Sequence, residues 1–326
     1  MAGHRGQAFR HGSAHECLRR PLDLVRARFE ARLEPTPMSS PLHRVSRRAV
    51  WACVVLAVLT TLSASSAAEE LDYPVSIAVG PSGTMYLADR NVPGIWQLEG
   101  DRLSPFFRGS KKFRTPLNAI RCVAFDREGK LLAGDSATRD VYRFDDQRLP
   151  RPLTAQGKPY GQIGIPMSIA VDAEGSLLVS DLEVNRVVRV PKEGGQPEPF
   201  AAVQAPRGLF YDSRKQLWVV SGRRLLCLSA SGEQKTVVDD GVFSFPHTVV
   251  VADDGTAYVC DGYAKAIWRI PPGQKPEKWV SGGPLQDPVG LHMRQGSLFV
   301  ADPQARAVFE VDQKGNLRQR KTSPGG

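Results

Sequence analysis

The sequence of 326 residues predicts an all-β protein, a six-bladed β-propeller made of four-stranded blades. Two observations lead to this fold. A segment of 15 or 16 residues recurs six times, with starting points 40 to 46 residues apart. Each copy and the stretch after it contain only short strand-like runs. A period of this length that is built only from short strands is typical of propeller blades.

Each copy has an apolar strand, a turn and a second apolar strand. The six copies are PVSIAVGPSGTMYLAD (74–89), IRCVAFDREGKLLAGD (120–135), PMSIAVDAEGSLLVSD (166–181), PRGLFYDSRKQLWVVS (206–221), PHTVVVADDGTAYVCD (246–261) and PVGLHMRQGSLFVAD (288–302). We therefore expect one propeller over residues 69–326, with blades starting near 74, 120, 166, 206, 246 and 288. Each blade is expected to contain four strands, and polarity increases from the innermost strand to the outermost. The inner strands are apolar because they pack against neighbouring blades on both faces.

Five of the six copies end in an aspartate, and these residues are Asp89, Asp135, Asp181, Asp261 and Asp302. A carboxylate at the end of a strand accepts hydrogen bonds from the backbone N–H groups of the next turn. We interpret the repeated aspartate as a structural cap rather than as a metal ligand.

The positive charge of the chain is concentrated before the repeats. The whole sequence has a formal net charge of +9, but residues 1–68 contain ten arginines and only four acidic residues. The remaining residues have a net charge of +3. This distribution does not favour nucleic-acid binding by the propeller.

An export signal is predicted before the first repeat. The apolar run 49–62 follows Arg44, Arg47 and Arg48, and small residues occupy 63–68. This order is typical of a secretory signal peptide over 38–68, cleaved near Ala67 or Ala68. Residues 1–37 are interpreted as translated upstream sequence or as a disordered segment. The alternative is a cytoplasmic extension on a membrane anchor, although 14 apolar residues are few for a membrane span. The mature protein is expected to be exported, with no stable membrane span, and monomeric.

The second residue of each copy is a candidate for ligand binding. These residues are Val75, Arg121, Met167, Arg207, His247 and Val289. They begin the innermost strands, at one mouth of the central channel. Two guanidinium groups and one imidazole thus meet at one rim, and arginine offers paired donors to carboxylate or phosphate.

Two long connections, 108–119 and 154–165, are expected to overhang the same mouth. They add further positive charge and one aromatic ring, through Arg108, Lys111, Lys112, Arg114, Lys158 and Tyr160.

The segments SDLEVNRVVRV (180–190) and CDGYAKAIWRI (260–270) resemble NHL repeats. The resemblance covers about residues 71–315 and implies a six-bladed propeller of the NHL type. Blade four differs most from the pattern, since Lys215 replaces the turn glycine and Ser221 replaces the aspartate.

Pro246-His247 resembles the histidine-bearing blades of peptidyl-hydroxyglycine amidating lyases, and Asp261-Gly262-Tyr263 and Asp89-Arg90 are similar to blades that supply a tyrosine and an arginine there. The family resemblance implies three such histidines around zinc. Here the other five positions hold no histidine, so no metal or other cofactor is expected. His292 is interpreted as a hydrogen-bonded core residue.

The gluconolactonase and regucalcin group is similar in fold, but its acidic metal-site motif is missing here. A likeness to streptogramin lyases is again one of fold. We therefore expect an exported, non-catalytic module that binds a small anion or an acidic protein segment through Arg121, Arg207, His247, Met167 and Tyr263. The alternative is a propeller lyase or hydrolase in which His247 acts with Arg121, Arg207 or Tyr263.

Overall fold

The computed structural model describes residues 70–112 and 114–324, and these contain 25 β-strands and no helix. The strands form six sheets, and each sheet takes four consecutive strands from the chain. The predicted six-bladed, all-β propeller is confirmed. The predicted extension 1–37 and signal peptide 38–68 lie outside the described residues.

The first three blades are built as follows. Blade 1 contains β1 (Pro74–Val79), β2 (Met85–Asp89), β3 (Gly94–Glu99) and β4 (Arg102–Arg108). Blade 2 contains β5 (Ile120–Phe125), β6 (Leu131–Asp135), β7 (Asp140–Phe144) and β8 (Pro150–Pro152). Blade 3 contains β9 (Pro166–Val171), β10 (Leu177–Asp181), β11 (Arg186–Val190) and β12 (Glu198–Ala202).

The last three blades follow the same order. Blade 4 contains β13 (Pro206–Tyr211), β14 (Leu217–Ser221), β15 (Arg224–Leu228) and β16 (Gln234–Val238). Blade 5 contains β17 (Pro246–Val251), β18 (Ala257–Asp261), β19 (Ala266–Ile270) and β20 (Glu277–Ser281). Blade 6 contains β21 (Gly290–Arg294), β22 (Ser297–Asp302), β23 (Ala307–Val311) and β24 (Leu317–Gln319). Five blade starts agree with the sequence, whereas blade 6 begins two residues later than predicted.

The core lies between the blades. Each of six clusters of buried apolar side chains draws on two neighbouring blades. Between blades 5 and 6, for example, Ile267 packs in one cluster with Leu298 and Phe309. Because every blade contributes to the clusters on both of its sides, no blade covers its apolar surface alone.

The turn between the first two strands of a blade needs a left-handed backbone. Gly175 in blade 3 has φ of 88°, which glycine adopts without steric strain. In blade 4 the same place is taken by Lys215, with φ of 60°. Asp212 supports this turn, since its carboxylate accepts hydrogen bonds from the N–H groups of Arg214 and Gln216. The divergent blade therefore keeps the repeat geometry.

The ends of the described chain meet at blade 1. A short strand, β25 (Ser323–Pro324), pairs in parallel with β4 as a fifth strand of that sheet. Blades 6 and 1 also share a cluster that includes Ile77, Leu87 and Val308. The ring is thus closed mainly by packing between complete blades, which the sequence did not reveal.

Two further features bear on the predictions. Cys122, Cys227 and Cys260 are free and buried, as expected from their apolar surroundings. Among residues 70–112 and 114–324, no helix is long and apolar enough to cross a membrane.

Candidate functional site

The start of the innermost strands surrounds a cavity of about 350 Å³, which we call the mouth cavity. All six second-position residues of the repeats line it, as do several residues of the adjoining loops. The lining consists of Tyr73, Val75, Arg90, Arg121, Met167, Arg207, Gly208, Phe245, His247, Thr248, Tyr263, Asp287, Val289, Pro303 and Gln304. The structure therefore brings Arg121, Arg207, His247, Met167 and Tyr263 together.

Irregular strand pairing helps to turn these side chains toward the cavity. In blade 2 the register between β5 and β6 shifts between Ile120 and Cys122, which leaves Arg121 without a partner. Equivalent shifts leave Arg207 and His247 outside the regular ladder. A β-bulge re-aims the side chain of the extra residue, and bulges of this kind are common beside binding sites.

The repeated aspartates hold the loops that frame the cavity. Asp261 is fully buried and accepts hydrogen bonds from the N–H groups of Ser244 and Phe245, both at 2.7 Å. It also accepts one from Ala264 in the following turn. Asp302 is bonded in the same way by Asp287 and Ala305. The predicted capping role is confirmed, and Asp261 and Asp302 each also fix a loop that lines the cavity.

Arg207 is held against blade 5 by a close approach of two backbones. A side chain at Gly208 would place its Cβ 2.6 Å from the carbonyl oxygen of His247. The guanidinium of Arg207 lies 4.4 Å from the ring centroid of Phe245, and its Nη1 donates to the carbonyl of Gly222 at 3.1 Å. Burial lowers the pKa of Arg207. The side chain is therefore fixed in place while part of its charge faces the cavity.

Arg121 and Arg90 form a second positive region. The Nε of Arg121 donates to the hydroxyl of Ser136 at 3.0 Å. Burial lowers the pKa of Arg121, the charge of Arg90 lowers it further, and Asp135 acts in the opposite direction. Among the described residues, neither these two arginines nor Arg207 forms an ion pair with a carboxylate.

His247 is neutral at neutral pH. Burial lowers its pKa to about 4, Arg207 lowers it too, and Asp261 opposes the shift. Its ring meets Phe245 edge to face, with centroids 4.8 Å apart. No hydrogen bond joins the imidazole to any other described residue, so its nitrogens are available to a ligand.

An aromatic stack borders the cavity beside His247. The rings of Phe245 and Tyr263 lie nearly parallel, 4.7 Å apart at an angle of 20°. Arg207 covers Phe245, whereas Tyr263 is 74% exposed. One face of the tyrosine ring rests on Phe245, and much of the rest is open to solvent.

Asp287 is the acidic residue of the cavity. It is half-buried, and burial raises its pKa, as does the nearby charge of Asp302. Sequence reasoning missed it together with Tyr73, Phe245 and Gln304. Three of these four, Tyr73, Phe245 and Asp287, stand two residues before a second-position residue, so the repeat register itself was the available signal.

None of the described residues in the long connections 108–119 and 154–165 lines the mouth cavity, and their position over that mouth stays a prediction. Arg114 lies 4.8 Å from the ring centroid of Tyr160, which joins the two loops to each other. Thr154 donates from its N–H to Asp140, and Leu117 does the same to Asp135. These bonds draw both loops onto blade 2, so their lysines and arginines add no side chain to the lining.

His292 also lies where the sequence did not predict. It lines a second cavity, of about 300 Å³, which contains the central part of the inner strands. Burial lowers its pKa to about 4, and Arg294 lowers it further. No described residue forms a hydrogen bond with its side chain. It is therefore a channel residue and not a hydrogen-bonded core histidine, because β21 turns it toward the axis.

The mouth cavity does not fit the zinc of the amidating lyases or the divalent ion of the lactonases. Its ring of second-position residues contains one imidazole and two guanidinium groups, and the latter repel a cation. In the described part of the chain, no three His, Cys, Asp or Glu residues are grouped so that they could hold a metal ion.

Comparison with known proteins gives the fold and little more. No protein-family model matches the chain. Peptidyl-glycine alpha-amidating monooxygenase A of Xenopus laevis is 28% identical over 149 residues, which is 40% of this chain but only 15% of that protein. The chain therefore matches a small part of this curated relative.

Two solved structures are similar over most of their length. Virginiamycin B lyase from Staphylococcus aureus has a TM-score of 0.59 and 15% identity, covering 77% of this chain and 86% of that one. A gluconolactonase from Xanthomonas campestris has a TM-score of 0.61 and 14% identity, covering 77% and 88%. At this level of identity, the likeness shows a shared β-propeller fold, which is found in a lyase and in a gluconolactonase.

Proposed function

We propose that the mouth cavity binds a small anionic ligand, and that the protein is an exported binding module. The observation that carries the proposal is the convergence of Arg90, Arg121 and Arg207 on one cavity without an ion-pair partner among the described residues. Like charges in a partly buried cavity repel one another. A carboxylate offsets this repulsion and gains charge-assisted hydrogen bonds.

The nature of the lining favours a small ligand with a carboxylate over a bare inorganic ion. Met167, Val75 and Val289 line the same cavity, so apolar surface is available beside the charges. A volume of about 350 Å³ is at the lower end of the range of small-molecule sites. An acidic segment of a partner protein can present the same group, and the size of the cavity limits it to one side chain or a chain end.

The test is the double substitution Arg121→Met and Arg207→Met. We expect loss of carboxylate binding, measured by titration calorimetry with acetate and benzoate. The melting temperature should stay equal or rise, because two half-buried charges without carboxylate partners are removed. Binding by the wild type should weaken with added salt, because part of the rim is open to solvent.

The matched control is a second double variant that also removes two positive charges, at positions outside the cavity. Arg151 and Arg269 are exposed and pair with Asp145 and Glu277 at the surface. Their double substitution by methionine should leave carboxylate binding unchanged. Unfolding of the Arg121→Met/Arg207→Met variant would contradict the proposal, since both arginines would then be structural.

A second candidate is a lyase or hydrolase, streptogramin-lyase-like or lactonase-like, in which His247 moves a proton. The neutral imidazole, which lacks a hydrogen-bond partner in the described structure, favours it, since such a group can accept a proton. Arg121, Arg207 or Tyr263 would orient the substrate. Turnover of lactones or acyl esters that His247→Gln abolishes and His292→Gln preserves would support this candidate over simple binding.

Export is part of the proposed function. N-terminal sequencing of protein recovered from outside the cytoplasm should give a start near Ala67–Glu69. Peptides from the segment 4–35 in that protein would contradict the interpretation of residues 1–37.

A further inference from the structure

We propose that the ligand of the mouth cavity is an aromatic monocarboxylate whose planar ring stacks on Tyr263. This inference rests on the proposed anion binding and adds the class of molecule that the cavity selects. Three features support it: the open face of the tyrosine, the position of the positive charges, and the single acidic group.

The tyrosine is the exposed end of a stack whose inner members are already covered. Arg207 lies over Phe245, and Tyr263 lies parallel to Phe245 at 4.7 Å. Tyr263 remains 74% exposed, which is unusual for a large aromatic side chain that lines a cavity. A further ring placed on its free face would extend the stack from three members to four. Stacked rings attract each other beyond the apolar area that they bury.

The stack is also rigid. Asp261 binds the N–H of Phe245 at 2.7 Å and that of Ala264 at 3.2 Å. The same buried carboxylate thus fixes the backbone on both sides of the Phe245–Tyr263 pair. A preorganised aromatic surface binds a flat partner with little loss of conformational freedom.

Two of the three arginines of the cavity stand on the side away from the stack, whereas Arg207 belongs to the stack itself. Arg90 and Arg121 belong to blades 1 and 2, whereas Phe245 and Tyr263 belong to blade 5. A molecule that bridges these sides needs an anionic group at one end and a ring at the other. A carboxylate suits the guanidinium groups because its two oxygens match their paired donors.

Asp287 limits the negative charge of the ligand. It lies against Gly262, where its Oδ1 occupies the space that a side chain at Gly262 would need. Tyr263 follows Gly262 in the chain, so the carboxyl group of Asp287 lies near the end of the site where the ring of the ligand would stack. A second carboxylate on the ring would face this acidic group and be repelled. The site therefore favours one negative charge.

The experiment compares three acids of similar charge by titration calorimetry: benzoate, cyclohexanecarboxylate and acetate. Benzoate and cyclohexanecarboxylate have similar size, but only benzoate is planar and aromatic. We expect wild-type protein to bind benzoate about fivefold more tightly than cyclohexanecarboxylate, the effect of one aromatic pair. Terephthalate, which carries two carboxylates, should bind more weakly than benzoate.

Two substitutions at the exposed Tyr263 locate the effect. Tyr263→Leu should remove the preference for benzoate over cyclohexanecarboxylate, because leucine offers no ring on which the ligand can stack. Tyr263→Phe keeps the ring and should keep the preference. Equal binding of benzoate and cyclohexanecarboxylate by the wild type, or an unchanged preference in Tyr263→Leu, would overturn the inference while carboxylate binding stands. Binding of none of the acids would overturn the proposed function itself.

Discussion

The mouth cavity contains arginines that no carboxylate of residues 70–112 and 114–324 neutralises in an ion pair. Arg121 is bonded to the Ser136 hydroxyl, and Arg207 is bonded to a carbonyl and covered by Phe245. These contacts orient the guanidinium groups without cancelling their charge. Surface arginines such as Arg139 are instead paired with acidic residues, here Glu183. The difference separates arginines that serve the fold from arginines that are free to bind a ligand.

The two channel histidines give the protein a defined response to acid. His247 and His292 both have a pKa of about 4, below their usual value, because burial disfavours the charged imidazole. The unfolded chain takes up these protons near pH 6.5, and the folded chain only near pH 4. The free energy of unfolding therefore falls as the pH is lowered from about 6.5 to about 4.

Thermal melting across this range tests the effect. Each histidine contributes a slope of at most about 1.4 kcal/mol per pH unit. The variant His247→Gln/His292→Gln should show a shallower decrease in melting temperature than the wild type between pH 6.5 and 4. The carboxyl groups titrate in both proteins, so the difference isolates the histidines. Parallel curves for the two proteins would show that the imidazoles are not shielded from water.

In blades 5 and 6, the aspartate at the end of the second strand connects the fold to the site. Asp261 accepts hydrogen bonds from Ser244, Phe245 and Ala264, and from the indole Nε1 of Trp268 at 3.3 Å. In blade 4 the equivalent Ser221 does less, because its hydroxyl donates one hydrogen bond to the carbonyl of Gln204. Asp261 and Ser221 occupy equivalent positions in blades 5 and 4, so the effect of several hydrogen bonds to a loop can be compared with the effect of one.

Substitution at these two positions should differ in cost. Asp261→Asn removes a charged acceptor from several buried donors and should lower the free energy of unfolding by about 3 kcal/mol. Ser221→Ala loses one neutral hydrogen bond and should cost about 1 kcal/mol. Denaturant unfolding measures both. Asp261→Asn should also weaken benzoate binding, because the Phe245 loop loses its anchor. Equal stability of the two variants would contradict the anchoring role.

The elements that repeat could be predicted, because each copy buries the same positions in the same register. Pro246 and Ile120 begin strands where the pattern placed them. The second positions of the copies also meet at one mouth, since equivalent residues in a ring face a common axis. The repeated strands and turns could therefore be predicted from the sequence, and so could the divergent turn at Lys215.

The parts without a repeat could not be predicted. The loop 154–165 is held to blade 2 because Asp140 accepts hydrogen bonds from Thr154, and none of its residues lines the cavity. Burial lowers the pKa of His247, and the extent of that burial could not be predicted from the sequence. Each of these features is decided by tertiary contacts rather than by local pattern.

The propeller is held together by interfaces between blades. Hydroxyl groups near the axis join successive inner strands, as when Ser76 accepts from the N–H of Val123 and Ser168 from that of Leu209, both at 3.1 Å. Thr248 donates to the carbonyl of Val289 at 2.7 Å. With the apolar clusters outside them, these bonds make the geometry of the mouth a property of the complete ring.

Removal of blade 6 should therefore unfold the protein rather than shorten it. A chain that ends at residue 287 loses Leu298, Phe309 and Val308, and it exposes Ile267 of blade 5 and Leu87 of blade 1, which pack in clusters with them. The interfaces between neighbouring repeats supply much of the stability of such arrays. The stabilising free energy lost with two interfaces should therefore exceed the net free energy of unfolding of the remaining five blades. A chain that ends at residue 321 is the matched control, because it lacks only β25 and keeps every four-stranded blade. Calorimetry should show one sharp transition for the control and none for the five-blade chain. A soluble five-blade chain that melts sharply would mean that the propeller closes on five blades and that the sixth is not needed for folding.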